Sequence, residues 1–326
     1  MNGMSQINSR ICRFWARLGA QGVLGKAVTD LADEENDFYI VSADLGVASG
    51  FSNLMEKHKE MYVDVGIAEQ NLISVAAGLT ESGKWVYATT WAPFATYRCA
   101  DQIRTYLGFM KKKITLVGMA SGLHIAKFGS SHYGLGDISV VRSIPNIAIL
   151  APSDGRSIYE LVRNSYNYDL SVYIRLTGGD LLPIIYDDGE YAFEVGKSNI
   201  LRNGTDIMIL GCGVILKQVL EVAERLNEKG ISATVVDMYS IKPLDMTVFE
   251  NIDKYKRVYT VEEHNVIGGL GSAVAEQLAR MPKAPALEII GIEDFFPVAG
   301  DYEYLLQQCS LTADDIYTKI VTKMQE

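Results

Sequence analysis

The carboxylate most able to do chemistry in this chain is Glu69. It lies in the stretch Asp64-Val65-Gly66-Ile67-Ala68-Glu69-Gln70-Asn71, after the short apolar run Met61-Tyr62-Val63 and before Leu72-Ile73-Ser74-Val75-Ala76-Ala77-Gly78-Leu79. A strand followed by a helix too apolar to face water puts Glu69 in the first helical turn, at a strand-to-helix junction. The positive end of the helix dipole favours a carboxylate there. Acids are common in first turns for that reason alone, so position by itself assigns no chemistry. The neighbourhood adds the argument. Small residues before it and a buried helix after it make the dry, fixed setting that a cofactor-activating carboxylate needs.

Three other groups have suitable types. Trp91, Phe94 and Tyr97 follow a strand ending at Thr89-Thr90, at i, i+3 and i+6. Such a stripe is ordinarily core, but an aromatic face is also the natural partner for a flat, electron-poor ring. His132 opens the segment His132-Tyr133-Gly134-Leu135-Gly136-Asp137, in a Gly- and Ser-containing loop. A lone histidine is ordinarily structural. Asp44-Leu45, in Ser-Ala-Asp-Leu, reads equally as an acid closing a strand with a core leucine beside it, or as a pair of cofactor contacts.

Asp64 to Asn71 resembles the pyrimidine-domain motif of thiamine-diphosphate enzymes, in the branch containing transketolase and deoxyxylulose-phosphate synthase. The resemblance extends from about Arg17 to the C-terminus. It implies that Glu69 hydrogen-bonds the cofactor's aminopyrimidine and promotes the tautomer that deprotonates the thiazolium carbon. It matches Thr90-Trp91-Ala92-Pro93-Phe94-Ala95 to the aromatic wall on the pyrimidine, with Phe94 first, Trp91 second and Tyr97 last. It puts Asp44 near the thiazolium and makes Leu45 the apolar wedge that keeps the cofactor bent. His132 matches an active-site histidine that hydrogen-bonds the substrate oxygen during carbonyl addition. The runs Arg142-Ser143-Ile144-Pro145-Asn146 and Ala151-Pro152-Ser153-Asp154 strengthen the match but look structural, with Asp154 as a helix cap.

Composition agrees with such an enzyme and excludes other classes. A chain of 326 residues has room for two domains, and 48% hydrophobic content supplies their cores. A net charge of −10, spread without an acidic tail, argues against nucleic acid or an anionic membrane as partner. Cys12, Cys99, Cys212 and Cys309 are far apart and form no CxxC, so they read as reduced, buried thiols of a cytoplasmic protein. No apolar run reaches the length of a membrane span, and the N-terminal apolar residues are broken by Arg10, Arg13 and Arg17, unlike a secretory signal.

The elements that must position these residues alternate. Residues 1–9 carry no pattern. Ile11 to Ala32 reads as one helix, with Phe14, Leu18 and Val28 facing inward. Strands follow at Phe38–Val41, Met61, Trp85–Thr89, Ile114–Gly118, Asn146–Leu150 and Val172–Leu176, with helices from Glu69, over Ala95–Leu107 and from Asp154. This alternation predicts a doubly wound parallel α/β sheet, whose ligands lie at the C-terminal ends of its strands. The rhythm breaks between Gly178-Gly179-Asp180 and Lys197, which places the division at 1–185, a pyrimidine-binding-type domain, and 186–326, a transketolase C-terminal-type domain. The second unit reads as strands Ile207–Leu210, Ala233–Asp237, Val258–Val261 and Leu287–Ile290, with helices Leu216–Glu228, Ser272–Ala279 and Ala313–Met324.

Two segments imitate cofactor motifs. Gly268-Gly269-Leu270-Gly271 is faintly like a dinucleotide fingerprint but lacks the third glycine in register. Gly136-Asp137-Ile138 with Asn164 mimics the Gly-Asp-Gly…Asn-Asn pattern that holds a diphosphate and its metal, without the second glycine or the asparagine pair. With the true motif missing, the resemblance implies one half of a split enzyme. A partner of similar size, carrying Gly-Asp-Gly…Asn-Asn, would hold the diphosphate and a divalent metal (Mg or Ca), and the default assembly is a heterotetramer of two plus two.

On the substrate side, Arg17 matches a phosphate-contacting arginine. Ala120 stands where transketolases place a histidine, Phe128 replaces a hydroxyl-reading aspartate, and Gly178 stands where a second phosphate-binding arginine is usual. The expected reaction is transfer of a two-carbon ketol unit with a non-standard sugar. The alternatives are a 2-oxoacid-decarboxylating subunit, like deoxyxylulose-phosphate synthase or a dehydrogenase beta chain, and a non-catalytic electron-carrier-like or regulatory binding module.

Overall fold

The computed structural model describes residues 7–166, 168–179 and 181–325. The patternless start up to residue 6, and Asp180 of the turn signal, lie outside the described residues. Among the described residues, twelve strands run in chain order. They are β1 (Phe38–Ser42), β2 (Tyr62–Asp64), β3 (Trp85–Trp91), β4 (Ile114–Met119), β5 (Ile147–Leu150) and β6 (Ser171–Arg175), then β7 (Asn199–Arg202), β8 (Ile207–Cys212), β9 (Ala233–Asp237), β10 (Ser240–Lys242), β11 (Arg257–Asn265) and β12 (Ala286–Ile292).

They form two sheets, in the orders β10-β5-β6-β4-β3-β1-β2 and β12-β11-β8-β9-β7. All pairings are parallel except β10 on β5 and β7 on β9. Strand β4, Ile-Thr-Leu-Val-Gly-Met, is buried along its whole length, as a parallel strand covered by helices on both faces must be. The expected α/β architecture with two wound units is therefore the observed one. Strand β10 is an addition to it. It follows β9 in the chain yet completes the edge of the first sheet.

Two helical expectations need correction. The first helix, Ser9–Glu34, is interrupted at Gly19, whose φ of 75° and ψ of 170° are not helical. Its inner positions are Cys12, Trp15 and Ala16, while Phe14 and Leu18 face outward and Val28 faces in as expected. Trp15 sets this phase. Its ring stacks on Tyr159 at 4.6 Å, and a Cβ added at Gly155 would lie 2.7 Å from the Trp15 Cβ. The expected helix Ala95–Leu107 is likewise three pieces, Ala92–Thr96, Ala100–Gln102 and a π-helical Ile103–Phe109. By contrast Glu69–Leu79 and Leu216–Glu228 are single helices, and Asp154 caps Gly155–Asn164 through the Ser157 N–H.

Candidate functional site

The C-terminal ends of β1, β2, β3, β4 and β6 share one edge of the first sheet, and the loops leaving them carry Asp44, Glu69, Phe94, His132 and Gly178. Asp64, the last residue of β2, ties the first two loops together. Its carboxylate accepts from the backbone N–H of Asp44 at 3.1 Å, from that of Gly66 at 2.8 Å and from the Tyr62 hydroxyl at 2.8 Å. Asp44 adopts a φ of 59° and is exposed, with Leu45 half-buried beside it.

Glu69 is the first residue of its helix and is 5% exposed. Its Oε1 lies 2.7 Å from Nη1 of Arg98, and the same guanidinium sits 4.1 Å over the ring of Phe94. One planar cation thus links the candidate activating carboxylate to the candidate aromatic face. Arg98 itself is held by place rather than by burial, with nearly half of its side chain exposed. Its backbone carbonyl accepts from Gln70 Nε2 at 3.2 Å. Just beneath, burial pushes the Cys99 thiol up to about 12, and the charge of Glu69 adds to that. Sequence reasoning missed Arg98. The signal was its spacing of four residues from Phe94, which the turn after Thr96 converts into a cation over a ring.

Four rings converge beside this pair. Trp91 and Phe94 stack at 6.1 Å, and His132 lies 5.1 Å from Trp91 and 5.3 Å from Phe94. Phe128 closes the group at 5.5 Å from Trp91 and 5.3 Å from His132. His132 Nδ1 is 2.9 Å from the Ser131 hydroxyl. Tyr97 stands apart from this group. Its hydroxyl lies against Gly136, where a Cβ would meet it at 1.9 Å, so the expected three-ring stripe is in fact a pair plus one ring turned aside. The reason is local: Trp91 still belongs to β3, and the helix after it ends at Thr96.

The loop that carries Phe128 and His132 is fastened from below by buried charges. Arg175 Nε donates to both oxygens of Asp137, at 3.1 and 2.9 Å, and Nη2 donates to the carbonyls of Gly134 and Glu263. Glu263 reaches in from β11 and accepts from the Leu123 N–H at 2.6 Å and from the Tyr302 hydroxyl at 2.6 Å. Both carboxylates are buried, Asp137 paired with Arg175 and Glu263 satisfied by hydrogen bonds from neutral donors, as polar groups at such depth require. Asp137 is therefore committed to Arg175 and Tyr173, and the Asn164 amide donates to the Phe193 carbonyl, so the diphosphate-motif imitation is occupied by structure. The glycine-rich imitation is occupied too. Glu262 accepts from the N–H groups of Leu270 and Gly271, filling the helix start where a phosphate would sit. Among the described residues, no group of three or more His, Cys, Asp or Glu is placed to hold a metal ion.

Of the substrate-side candidates, Phe128 and Gly178 lie on a cleft of about 680 Å³ between the two units, lined also by His124 and Lys127 from the first and Lys217 and Tyr302 from the second, whereas Arg17, Ala120 and His132 do not line it. Gly178 has a φ of +93°, and a Cβ there would meet Leu182 at 2.6 Å and Val214 at 2.8 Å. A side chain here is strained by the positive φ and requires Leu182 and Val214 to shift. Arg17 is exposed on the first helix, next to Ala16, whose carbonyl accepts from the Leu182 N–H at 2.9 Å.

Comparison with known proteins covers both units. The family described as "Transketolase, pyrimidine binding domain" matches residues 18–182, and that described as "Transketolase, C-terminal domain" matches 196–316. A putative transketolase C-terminal section of Methanocaldococcus jannaschii is 33% identical over 302 residues, covering 93% of this chain and 95% of the relative. An apulose-4-phosphate transketolase subunit of Phocaeicola vulgatus is 32% identical over 288 residues, covering 88% and 91%. A solved split-gene transketolase, described as an inactive beta4 tetramer, superposes with a TM-score of 0.83 at 33% identity, covering 93% of this chain and 97% of that one.

Proposed function

This chain belongs to the transketolase family as the C-terminal-half subunit of a split enzyme, and from that premise we propose how its residues divide the work of ketol transfer. The observation that carries the reading is Glu69, a buried carboxylate at a helix start whose contact with Arg98 joins it to the Phe94 ring. When bound, thiamine diphosphate supplies the carbon nucleophile that accepts the two-carbon unit. Glu69 holds a proton on the pyrimidine nitrogen. Phe94 and Trp91 offer ring faces to the pyrimidine, with Tyr97 at its margin, while Leu45 and Asp44 border the thiazolium end. His132 donates to the substrate oxygen as the carbonyl carbon is attacked, and Arg17 and Phe128 face the rest of the sugar.

The diphosphate and its divalent metal, Mg or Ca, belong in this reading to an N-terminal-half partner with a Gly-Asp-Gly…Asn-Asn motif. Two of each chain make the heterotetramer. The division of the chain at 185/186 and a cytoplasmic location belong to the same proposal, the latter supported by four buried, unbridged cysteines. The sugar is non-standard. Relatives named for apulose-4-phosphate support this, as does Gly178, which supplies no arginine clamp for a terminal phosphate.

The test is reconstitution. The isolated chain is expected to bind thiamine diphosphate far more weakly than the assembled pair, and calorimetry showing micromolar or tighter binding to the chain alone overturns the split-site reading. The pair, given metal and cofactor, is expected to use xylulose 5-phosphate and ribose 5-phosphate poorly. A kcat/KM of about 10⁴ M⁻¹s⁻¹ or more, within the ordinary enzyme range, makes it a plain transketolase instead.

A further inference from the structure

We propose that the cleft between the two units receives the distal end of a ketose extended by a neutral polyhydroxyl group, such as a second sugar ring. This rests on the ketol-transfer reading and names its substrate class. Three observations carry it. The first is continuity. Phe128 lines the cleft and also touches Trp91 and His132, so the cleft begins where the residues around the reacting carbonyl end. Its volume of about 680 Å³ lies within the range of small-molecule sites.

The second is charge. Lys127 and Lys217 on its walls are balanced by Asp301 and Glu303, and no arginine among the described residues lines it. Lys127 already lies 3.6 Å from Asp301. A terminal phosphate therefore finds neither a net positive field nor a bidentate partner.

The third is hydrogen-bond polarity. Gln218, in the first turn of the Leu216–Glu228 helix, lines this cleft, and its Oε1, buried away from solvent, has no hydrogen-bond partner among the described residues, so that a turn of the amide presents it to a bound ligand. A buried acceptor without a donor is costly, and a ligand that donates relieves it. The two carboxylates nearby also accept only. Sugar hydroxyls donate to all three groups, whereas a phosphate dianion has nothing to donate.

The experiment uses the assembled pair with an aldehyde acceptor and three donors: isomaltulose, a fructose carrying glucose on its far hydroxyl; fructose 6-phosphate; and hydroxypyruvate, which is too short to reach the cleft. In the ketoses the C2–C3 bond breaks, C1–C2 passes to the acceptor, and an aldose two carbons shorter leaves. Isomaltulose is expected to exceed fructose 6-phosphate in kcat/KM by about tenfold or more, the scale of one or two satisfied hydrogen bonds. Gln218→Trp, which fills the cleft, is expected to lower the isomaltulose-to-hydroxypyruvate ratio by about tenfold, with Gln218→Ala moving it the same way by less. A preference for fructose 6-phosphate, or a ratio unmoved by either variant, overturns the proposal. Should hydroxypyruvate itself not be turned over, the ketol-transfer reading fails separately. Saturation-transfer NMR then decides the cleft: glucosyl protons of isomaltulose receive saturation from the unmodified pair and lose it with Gln218→Trp, and no transfer in the unmodified pair overturns the inference.

Discussion

Two buried glutamates stand at helix starts in this molecule, one in each unit, and their surroundings are opposite. Glu262 is spent on its own fold, since its two oxygens accept from Leu270 and Gly271, the first two residues of their helix. Glu69 is itself the first residue of its helix and, among the described residues, takes one side-chain partner, the half-exposed Arg98, through one oxygen. The same residue type at the same kind of site therefore serves as a structural plug in one place and keeps bonding capacity in the other. Burial alone does not distinguish a working carboxylate from a structural one; the count of donors already aimed at it does.

The largest expected effect separates the two glutamates by what they lose. Glu69→Gln in the assembled enzyme should leave the melting temperature unchanged and slow cofactor proton exchange, followed by deuterium uptake, by about 10²–10⁴-fold, the usual range for a proton-transfer group. Exchange at the native rate removes Glu69 from its role. Glu262→Gln should do the reverse. An amide cannot accept with both of its ends, so one helix N–H is orphaned at a cost of about 1–3 kcal/mol. Urea unfolding is expected to show that loss while the folded fraction keeps its turnover per site.

The pH dependence sharpens the contrast. Burial pushes Glu262 up to about 7, against the pull of the Gly271 and Leu270 N–H groups. A carboxyl whose folded value is raised contributes most below its unfolded value and loses that contribution as pH rises through the folded one. The stability gap between the native chain and Glu262→Gln should therefore shrink between pH 5 and about 7.5, close to the raised value of about 7. A gap that widens over that interval means the ionised carboxylate on the helix start prevails over burial. His264, lowered by burial to about 4 and lying 3.8 Å from Glu262 Oε2, acts in the opposite sense, its contribution present above about 6.5 and lost as pH falls through about 4. The smallest effect concerns Arg98. Arg98→Gln should slow proton exchange by about tenfold through the loss of one charge-assisted contact, with Arg98→Lys recovering part of it and neither variant changing the melting temperature.

What was legible in the sequence follows the same division. Glu69, the strand before it and the apolar helix after it are contiguous, so a local reading found them, and the family resemblance supplied a role. Arg98, between Tyr97 and Cys99, was not singled out, because its two partners are defined by packing. Arg175 was hidden inside a strand whose other residues are apolar, although an arginine in a fully buried parallel strand is itself a sign of a hidden carboxylate. Asp137 was weighed only as a metal ligand, since nothing local announces Arg175. The Gly19 break and the π-helical Ile103–Phe109 were invisible because neither alters the hydrophobic period enough to be read. Gly178 was read as a missing arginine. The collision of any Cβ with Leu182 and Val214 adds the steric reason.

Strand β10 bears on how the chain can be made and cut. Its residues Ser240–Lys242 supply the outer neighbour of β5, so the first sheet closes only after Lys242 has left the ribosome. Until then β5 presents a bare edge of unpaired amides, the kind of surface that recruits other chains. A gene fragment stopped at residue 185 keeps that edge exposed for good, and it should precipitate or require a chaperone where the full chain does not. Limited proteolysis should likewise release no lasting N-terminal fragment, because removing the second unit also removes a strand from the first.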